Sequence, residues 1–403
     1  MEPSHSSERT PSLLPQPPNP GHSDALRLSH HGQPSELMAI YLANLLLRVI
    51  TLGVYHFWAK TRVRAYVWSQ TALNGEQFEY TGRGVELFFG YLIAMTVVMP
   101  LVLGWRLGLI TLLQQYPLLA GAAGAGFYGI FAFLAGFGKF SSLRYQASRT
   151  RWRGIRFALK GSATRYGFNT LGYGLLSVLS LGFLFPLMQV RQMELILGSL
   201  RFGESVRFRS KARAGALLRR YAGFQIGLLG VVAAWSGVLY LIFKAQGLWV
   251  DGGLQGQDGP LYFVFALYSY FLMFPLYYVL YAGYKAEFFR HMARHTSLET
   301  APGVGAAAVN LEAEGLHAVD ADAPVFQLGY STRSYLGLQV TNLLLMGVTL
   351  GLAFPLVVVR TLNFICTHLR ILGTLDLDHI TQSAIRISPT GEGLAEAFDL
   401  GSI

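Results

Sequence analysis

The sequence predicts a polytopic α-helical membrane protein. Four helices would cross the bilayer, and three repeated glycine-centred segments would re-enter it or cross it as short spans. Three observations carry this reading. Only 13% of the 403 residues are charged and 52% are apolar, against about 25% charged in a soluble domain. Seven apolar stretches recur, at 37–57, 87–104, 117–138, 166–190, 221–243, 261–283 and 335–359, and a spanning helix needs about 20 such residues. The lysines and arginines behind the net charge of +10 cluster in the connections between these stretches, where they mark the cytoplasmic side. A soluble enzyme and a disordered chain are both disfavoured. The basic excess reads as contact with an anionic membrane face, and nucleic acid is not expected. A single cysteine, Cys366, rules out an intramolecular disulfide and a thiolate metal cage.

Residues 1–35 are rich in proline, serine and histidine and read as a disordered tail. They hold no signal-peptide core, so targeting is expected to rest on the first internal apolar segment. The stretches at 87–104, 117–138, 221–243 and 261–283 hold almost no charge and end near tryptophan or tyrosine, as spanning helices do. Pro100 and Pro275 lie inside two of them, which a packed membrane helix tolerates.

The other three stretches share a register. Each centres on a Leu-Gly pair: Leu52-Gly53, Leu181-Gly182 and Leu350-Gly351. Asn44 and Asn342 stand nine residues before their glycines, with Tyr173 at that place in the middle copy. Arg62, Arg191 and Arg360 stand nine residues after. Pro186 matches Pro355, with Phe57 at the equivalent position. Agreement at this many positions in three copies indicates an internal repeat.

Charge decides between two topologies. If all seven stretches cross, the basic residues divide almost evenly between the two sides. If the three Leu-Gly stretches return to the side they enter from, only Arg106 and Lys244 fall on the far side, with Arg48 inside a segment. The positive-inside tendency favours the second arrangement. It predicts four spanning helices and three re-entrant hairpins that turn at glycine, the residue that bends most readily. All the long connections and both termini would be cytoplasmic. The competing reading is three ordinary short spans with incidental glycines. The chain then divides into a membrane unit at 36–165, a second at 166–297 and a partial third at 325–390. A flexible insert at 298–324 precedes the third, and a tail at 391–403 follows it.

The connections also alternate like strands. Ile155, Phe157 and Leu159 alternate with Arg156 and Lys160, and Val206 and Phe208 with Arg207 and Arg209. Phe78 and Tyr80 flank Glu79, and Leu375 and Leu377 alternate with Asp376 and Asp378. Such short strands need partners, so a small cytoplasmic sheet is expected, with an acidic strand beside a basic one.

The strings "TLGVYHFWAKTRVRAYVWSQT", "GEQFEYTGRG" and "YQASRTRWRGIRF" resemble the YjgN family of bacterial inner-membrane proteins, a domain of unknown function. The resemblance runs from about Asn44 to Ile380. It implies a multi-pass protein of the bacterial inner membrane and supplies no catalytic residue, substrate or cofactor. The proline-rich tail and the insert near 298–324 depart from it.

Several groups are candidate sites. Arg48 is a charge within an apolar stretch, and such residues line paths or hold anions unless they snorkel to the headgroups. Asn44, Asn342, Gly53, Gly182 and Gly351 would line a cavity between the hairpins, or the asparagines would simply bridge helices. Arg149, Arg151, Trp152, Arg153, Arg156, Arg207 and Arg209 form a basic, aromatic surface suited to anionic lipid, or serve topology alone. Glu287, His291 and His295 share a helix face, but Arg290 and Arg294 beside them oppose a cation and no HExxH string is present. Gly82 and Gly84 in "YTGRG" read as a turn, since the phosphate-loop spacing is missing. No catalytic constellation stands out, so no enzyme activity, metal or cofactor is expected. The leading expectation is a transport- or channel-like protein. The alternative is an anionic-lipid-binding scaffold. The partners expected are membrane lipids and an unidentified small solute, and homo-oligomerisation is compatible with both readings.

Overall fold

The computed structural model describes residues 26–371, apart from 205, 248, 251–252, 255–258, 272 and 301–325. The expected tail before residue 26, most of the expected insert and the expected strand at 375–378 lie outside these residues. Within them, Leu26–His30 of the expected tail and residues 298–300 of the expected insert are strand, and a helix begins at Pro34.

One pattern repeats five times: a strand, a pair of helices, and a second strand that pairs with the first. The first unit is β1 (Leu26–His30), α1 (Pro34–Ile50), α2 (His56–Ser69) and β2 (Thr71–Leu73). The second is β3 (Glu76–Tyr80), α3 (Gly84–Gln115), α4 (Pro117–Arg149) and β4 (Thr150–Trp152). The third is β5 (Ile155–Leu159), α5 (Ala163–Leu179), α6 (Phe185–Ser199) and β6 (Leu200–Phe202). The fourth runs β7 (Val206–Ser210), α7 (Gly215–Ala245), a two-strand tip of β8 (Trp249–Val250) and β9 (Gly253–Leu254), α8 (Gly259–Phe271), α9 (Phe274–Arg294) and β10 (Thr296–Thr300). The fifth is β11 (Phe326–Leu328), α10 (Thr332–Val348), α11 (Phe354–His368) and β12 (Leu369–Ile371). This division is finer than the three units drawn from the sequence.

Length separates two kinds of helix pair. Four stretches are long and apolar enough to cross a membrane: Gly84–Gly108, Leu118–Arg149, Gly215–Ala245 and Tyr262–Arg294. They make up the second and fourth units. The last of them, expected as one helix, is divided into α8 and α9, and Pro275 opens the second piece. A proline at the first turn of a helix loses no hydrogen bond. Pro100 stays inside α3. The helices of the other three units have 14 to 17 residues, so none exceeds about 25 Å at 1.5 Å per residue.

The strands join into one ten-stranded antiparallel sheet, ordered β10-β7-β6-β5-β4-β3-β2-β1-β12-β11. The first and last units meet where β1 pairs with β12, Leu26 opposite Ile371. The edge strands β10 and β11 lie on either side of the insert. Leu298 of β10 and Phe326 of β11 pack into one cluster with Leu26, Leu73 and Ile371. Phe208 of β7 stacks on Phe326 at 6.1 Å. The sheet therefore curls into a ring with one seam. Its interior is apolar: Trp152, Phe202 and Val206 are buried there against Phe78, Phe157 and Leu298. The expected strands at Phe78–Tyr80, Ile155–Leu159 and Val206–Arg209 are β3, β5 and β7. The acid beside a basic strand comes from β3, where Glu79 meets Arg151 and Glu76 meets Arg153.

The helices close a ring of their own. Five apolar cores join consecutive elements: α11 with α1 and α2, α2 with α3 and α4, α4 with α5 and α6, α6 with α7 and α9, and α9 with α10 and α11. Each core sits where one helix pair meets the next, so a sheet ring carries a helix ring.

Candidate functional site

The three Leu-Gly turns have one geometry. Leu52, Leu181 and Leu350 adopt φ of 50°, 51° and 49°, and the glycines after them 92°, 88° and 90°. In each turn the glycine N–H reaches back five residues, to the carbonyls of Arg48, Ser177 and Met346 at 2.7, 2.6 and 2.8 Å. This is the bond pattern of a Schellman motif. A left-handed leucine costs about 1–2 kcal/mol, and the surrounding bonds offset that. Thr51, Ser180 and Thr349 precede the leucines. Each hydroxyl donates to a carbonyl of the helix before it, on Leu47, Ser177 and Leu345. Each also accepts the backbone N–H at the start of the next helix, from Tyr55, Leu184 and Ala353 at 2.9, 3.0 and 2.9 Å. These hydroxyls do what water does at an ordinary helix end. The leucines themselves are 94%, 72% and 93% exposed. An apolar tip with a satisfied backbone suits hydrocarbon surroundings.

The asparagines clasp the hairpins. Asn44 Nδ2 donates to the Ala59 carbonyl at 3.3 Å, and Asn342 Nδ2 to Thr361 Oγ1 at 3.2 Å. Both residues are buried, and the Oδ1 atom of each has no hydrogen-bond partner among the described residues. Arg48 is half-buried and its Nε is likewise unsatisfied. The three glycines stay apart: Gly53 has open space around it and Gly182 faces Gln225 of α7, whose Nε2 donates to the Leu181 carbonyl at 3.0 Å.

Two cavities lie elsewhere. One, of about 470 Å³, opens at the base of the α5–α6 pair among Arg165, Asn169, Tyr173, Arg191, Glu194 and Ser210. The other, of about 550 Å³, lies between α9, α10 and α11. Tyr277, Tyr281, Tyr335 and Phe364 give it an aromatic wall, and Lys285 and Gln339 stand in it. None of the six residues expected to form a cavity lines either one.

The basic surface is largely tied up in the fold. Arg149 pairs with Glu86 at 2.8 Å, Arg153 with Glu76 at 2.7 Å, and Arg151 with Glu79 at 3.9 Å. Trp152, expected at a lipid interface, is buried in the sheet interior and donates to the Glu76 carbonyl at 3.1 Å. The two-residue period of β4 places it opposite its charged neighbours. Arg156 stands across from Arg151 and Arg207 across from Arg201, while Arg209 faces Ser297. Glu287, His291 and His295 are engaged with Arg290 and Arg220, the Arg213 carbonyl and the His291 carbonyl respectively.

Sequence reading passed over several groups. The hydroxyl before each Leu-Gly pair was visible in the repeat register and went unused. Arg64 is fully buried, and its Nη1 donates to the Tyr80 hydroxyl at 3.1 Å, tying α2 to β3. Lys139 lies on α4 and Lys285 on α9, inside the long apolar helices and not in the connections where sequence alone puts them.

The comparisons bear on this architecture as a whole. The family described as "Bacterial protein of unknown function (DUF898)" matches residues 25–304 and 306–397. The chain belongs to this family. Similar curated proteins are the inner membrane protein YjgN of Escherichia coli O157:H7, 28% identical over 155 residues, and that of Escherichia coli strain K12, 31% identical over 165 residues. Each match covers 38% of this chain and 36% of the relative. That of Salmonella typhimurium strain LT2 is 29% identical over 136 residues, covering 33% and 31%. The chain thus spans about a third of the length of the curated relatives it matches. No solved structure matches. With the four long apolar helices, this makes the YjgN-family chain an integral inner-membrane protein of unknown function.

Proposed function

We propose that this YjgN-family protein is transport- or channel-like, with its path inside the helix ring. One observation carries the reading: the five apolar cores close the helices on one another, so ring geometry provides an interior apart from lipid. In this reading α3, α4, α7 and α8–α9 cross the bilayer. The three Leu-Gly hairpins enter from the sheet side and return to it, as broken helices do in transporters. The sheet and both termini are cytoplasmic, which agrees with the side where the basic connections gather. Arg48, Asn44 and Asn342 serve the hairpins that wall the path. The protein is not an enzyme, and its partners are lipids and a small solute. Liposomes containing the purified protein should pass at least one small solute faster than empty liposomes. A broad flux screen with no difference between the two would overturn the reading.

A second reading has one observation in its favour. Arginines stand across strands at Arg151–Arg156 and Arg201–Arg207, which gathers positive charge on one sheet. In this reading anionic lipid headgroups lie against those basic strands, making the sheet a membrane-facing scaffold. Vesicle flotation with and without anionic lipid tests it. Equal flotation would exclude it.

A further inference from the structure

The cleft of about 470 Å³ at the base of the α5–α6 pair gathers polar groups from three elements. Arg165, Asn169 and Tyr173 stand four residues apart on α5, so they share one face of the helix. Arg191 and Glu194 come from α6, and Ser210 is the last residue of β7. An arginine stays protonated in any protein setting, so two arginines and one glutamate leave the cleft positive. Glu194 is already engaged, accepting from Arg191 Nη1 at 2.8 Å, and Tyr173 bears on the same guanidinium. A guanidinium held this way still has N–H donors to spare. Arg165 bonds through its backbone, to the Ser162 hydroxyl and the Asn169 amide. Its exposed guanidinium has no partner among the described residues. The Ser210 hydroxyl oxygen is buried and likewise has none among them.

The hairpin fold does not call for these groups. In the register shared by the three Leu-Gly hairpins, Glu36 and Ser334 hold the place of Arg165. Ile40 and Leu338 hold that of Asn169, and Ala65 and Asn363 that of Glu194. Ile40 packs against an apolar core, and Leu338 lines the aromatic cavity. All three copies nevertheless make the same turn. Arg191 is matched by Arg62 and Arg360, and those two are spent inside their own hairpins, on the Tyr55 hydroxyl and on Thr341 Oγ1. Of the three copies, the middle one sets a second arginine beside the shared one around a cleft. Arginine matches the geometry of phosphate oxygens and makes its strongest hydrogen bonds to them. The volume is that of a small-molecule site, and the amide and phenol on its wall suit a polar body better than an acyl chain.

We propose that this cleft binds a phosphate ester, with Arg165 and Arg191 on the phosphate and the Ser210 hydroxyl donating a further bond. The ester comes from water, as a small phosphomonoester, or from the membrane, as a phospholipid headgroup. The site depends neither on flux through the helix ring nor on lipid lying against the sheet. Isothermal titration of the full chain in non-ionic detergent tests it. The probes are glycerol 3-phosphate and short-chain phosphatidylglycerol, and the phosphate-free controls are glycerol and short-chain diacylglycerol. At least one phosphate ester should bind saturably, and neither control should. Binding of glycerol 3-phosphate alone assigns a soluble ligand, and binding of phosphatidylglycerol alone assigns a headgroup. Binding of both means that the phosphate is all the cleft reads. Arg165→Gln should weaken binding by about tenfold or more, and Arg165→Lys should restore part of it. Arg62→Gln and Arg360→Gln, at the place of Arg191 in the other hairpins, should leave affinity unchanged. An unchanged thermal midpoint shows that Arg165→Gln is folded. If it is not, Ser210→Ala takes its place and should weaken binding about fivefold. Binding of neither ester would overturn the proposal. So would a control that binds as well as its ester, affinity that survives the change in a folded variant, or an equal loss in Arg62→Gln.

Discussion

Thr349 shows how much of this architecture hangs on single hydrogen-bonding groups. Its hydroxyl satisfies one group at the end of α10 and one at the start of α11. Thr349→Val keeps the shape and removes both bonds, at about 1–3 kcal/mol for a buried group left unmade. Gly351→Ala places a side chain at φ 90°, a conformation essentially reserved for glycine. Both should lower the thermal midpoint in detergent. Close approach of helices gives a second sensitive position. A Cβ on Gly167 would sit 2.8 Å from the Phe133 ring and 3.0 Å from its carbonyl, so Gly167→Ala should cost about 1–3 kcal/mol. Gly198 has open space around it, and Gly198→Ala should be near neutral or stabilising. Equal midpoints for these two alanine variants would refute the packing of α4 on α5. His30 adds a pH dependence. Burial, then the neighbouring His31, holds its imidazole below the ordinary value of 6.5. Its Nδ1 meets Thr71 Oγ1 at 3.0 Å and its buried Nε2 has no partner among the described residues. The unfolded chain then takes up the proton first, so stability falls as pH drops through 6.5 and stops falling below the folded value. His30→Gln should flatten that acid limb of a stability-versus-pH curve.

The helical hairpin is the element whose placement separates the topologies. Its helices are too short for a comfortable span, and its leucine tips are apolar and exposed. Single cysteines at Leu52 and Leu350, in a Cys366→Ala background, should resist a membrane-impermeant maleimide from both faces. Fusions near Gln114 and Gly253 should report the periplasm, and those near Gly154 and Phe202 the cytoplasm. Labelling of the tips from the periplasm would restore three short spans. Much of this element was legible in the sequence. The Leu-Gly register located all three turns, because positive φ in two successive residues demands a glycine in at least one of them. Asn44 and Asn342 were found by the same register, and of their two expected roles the bridge between helices is the one their hydrogen bonds make, not the lining of a shared cavity. Sequence distance from the glycine cannot say whether an amide points at its own hairpin or into shared space. Trp152 was misplaced for a related reason. Its composition suits an interface, and the face it occupies depends on which strands pair. The closure of the helices was invisible, because it depends on contacts between units far apart in the chain.

At the scale of the whole molecule, ring closure is the property on which the transport reading rests. Nine of the ten neighbour relations around the sheet are strand pairs, and the tenth is the seam between β10 and β11. Strands alternate in direction around the sheet, so the end of β10 and the start of β11 lie on the same side of the seam. Leu298 and Phe326 already share a core across it. A tight turn joins antiparallel neighbours at such a place. Replacing residues 301–325 with a four-residue turn containing Asn-Gly should therefore be tolerated. It should raise the thermal midpoint, because a shorter connection loses less entropy on closing and an open edge becomes paired. In the same background, cysteines at Leu26 and Ile371, opposite each other in β1 and β12, should cross-link on mild oxidation and mark the closure between the chain's first and last units. A shortened chain that no longer inserts, or runs as an aggregate, would mean that the two edges are held apart. The sheet would then be an open blade, and the helices above it would enclose nothing.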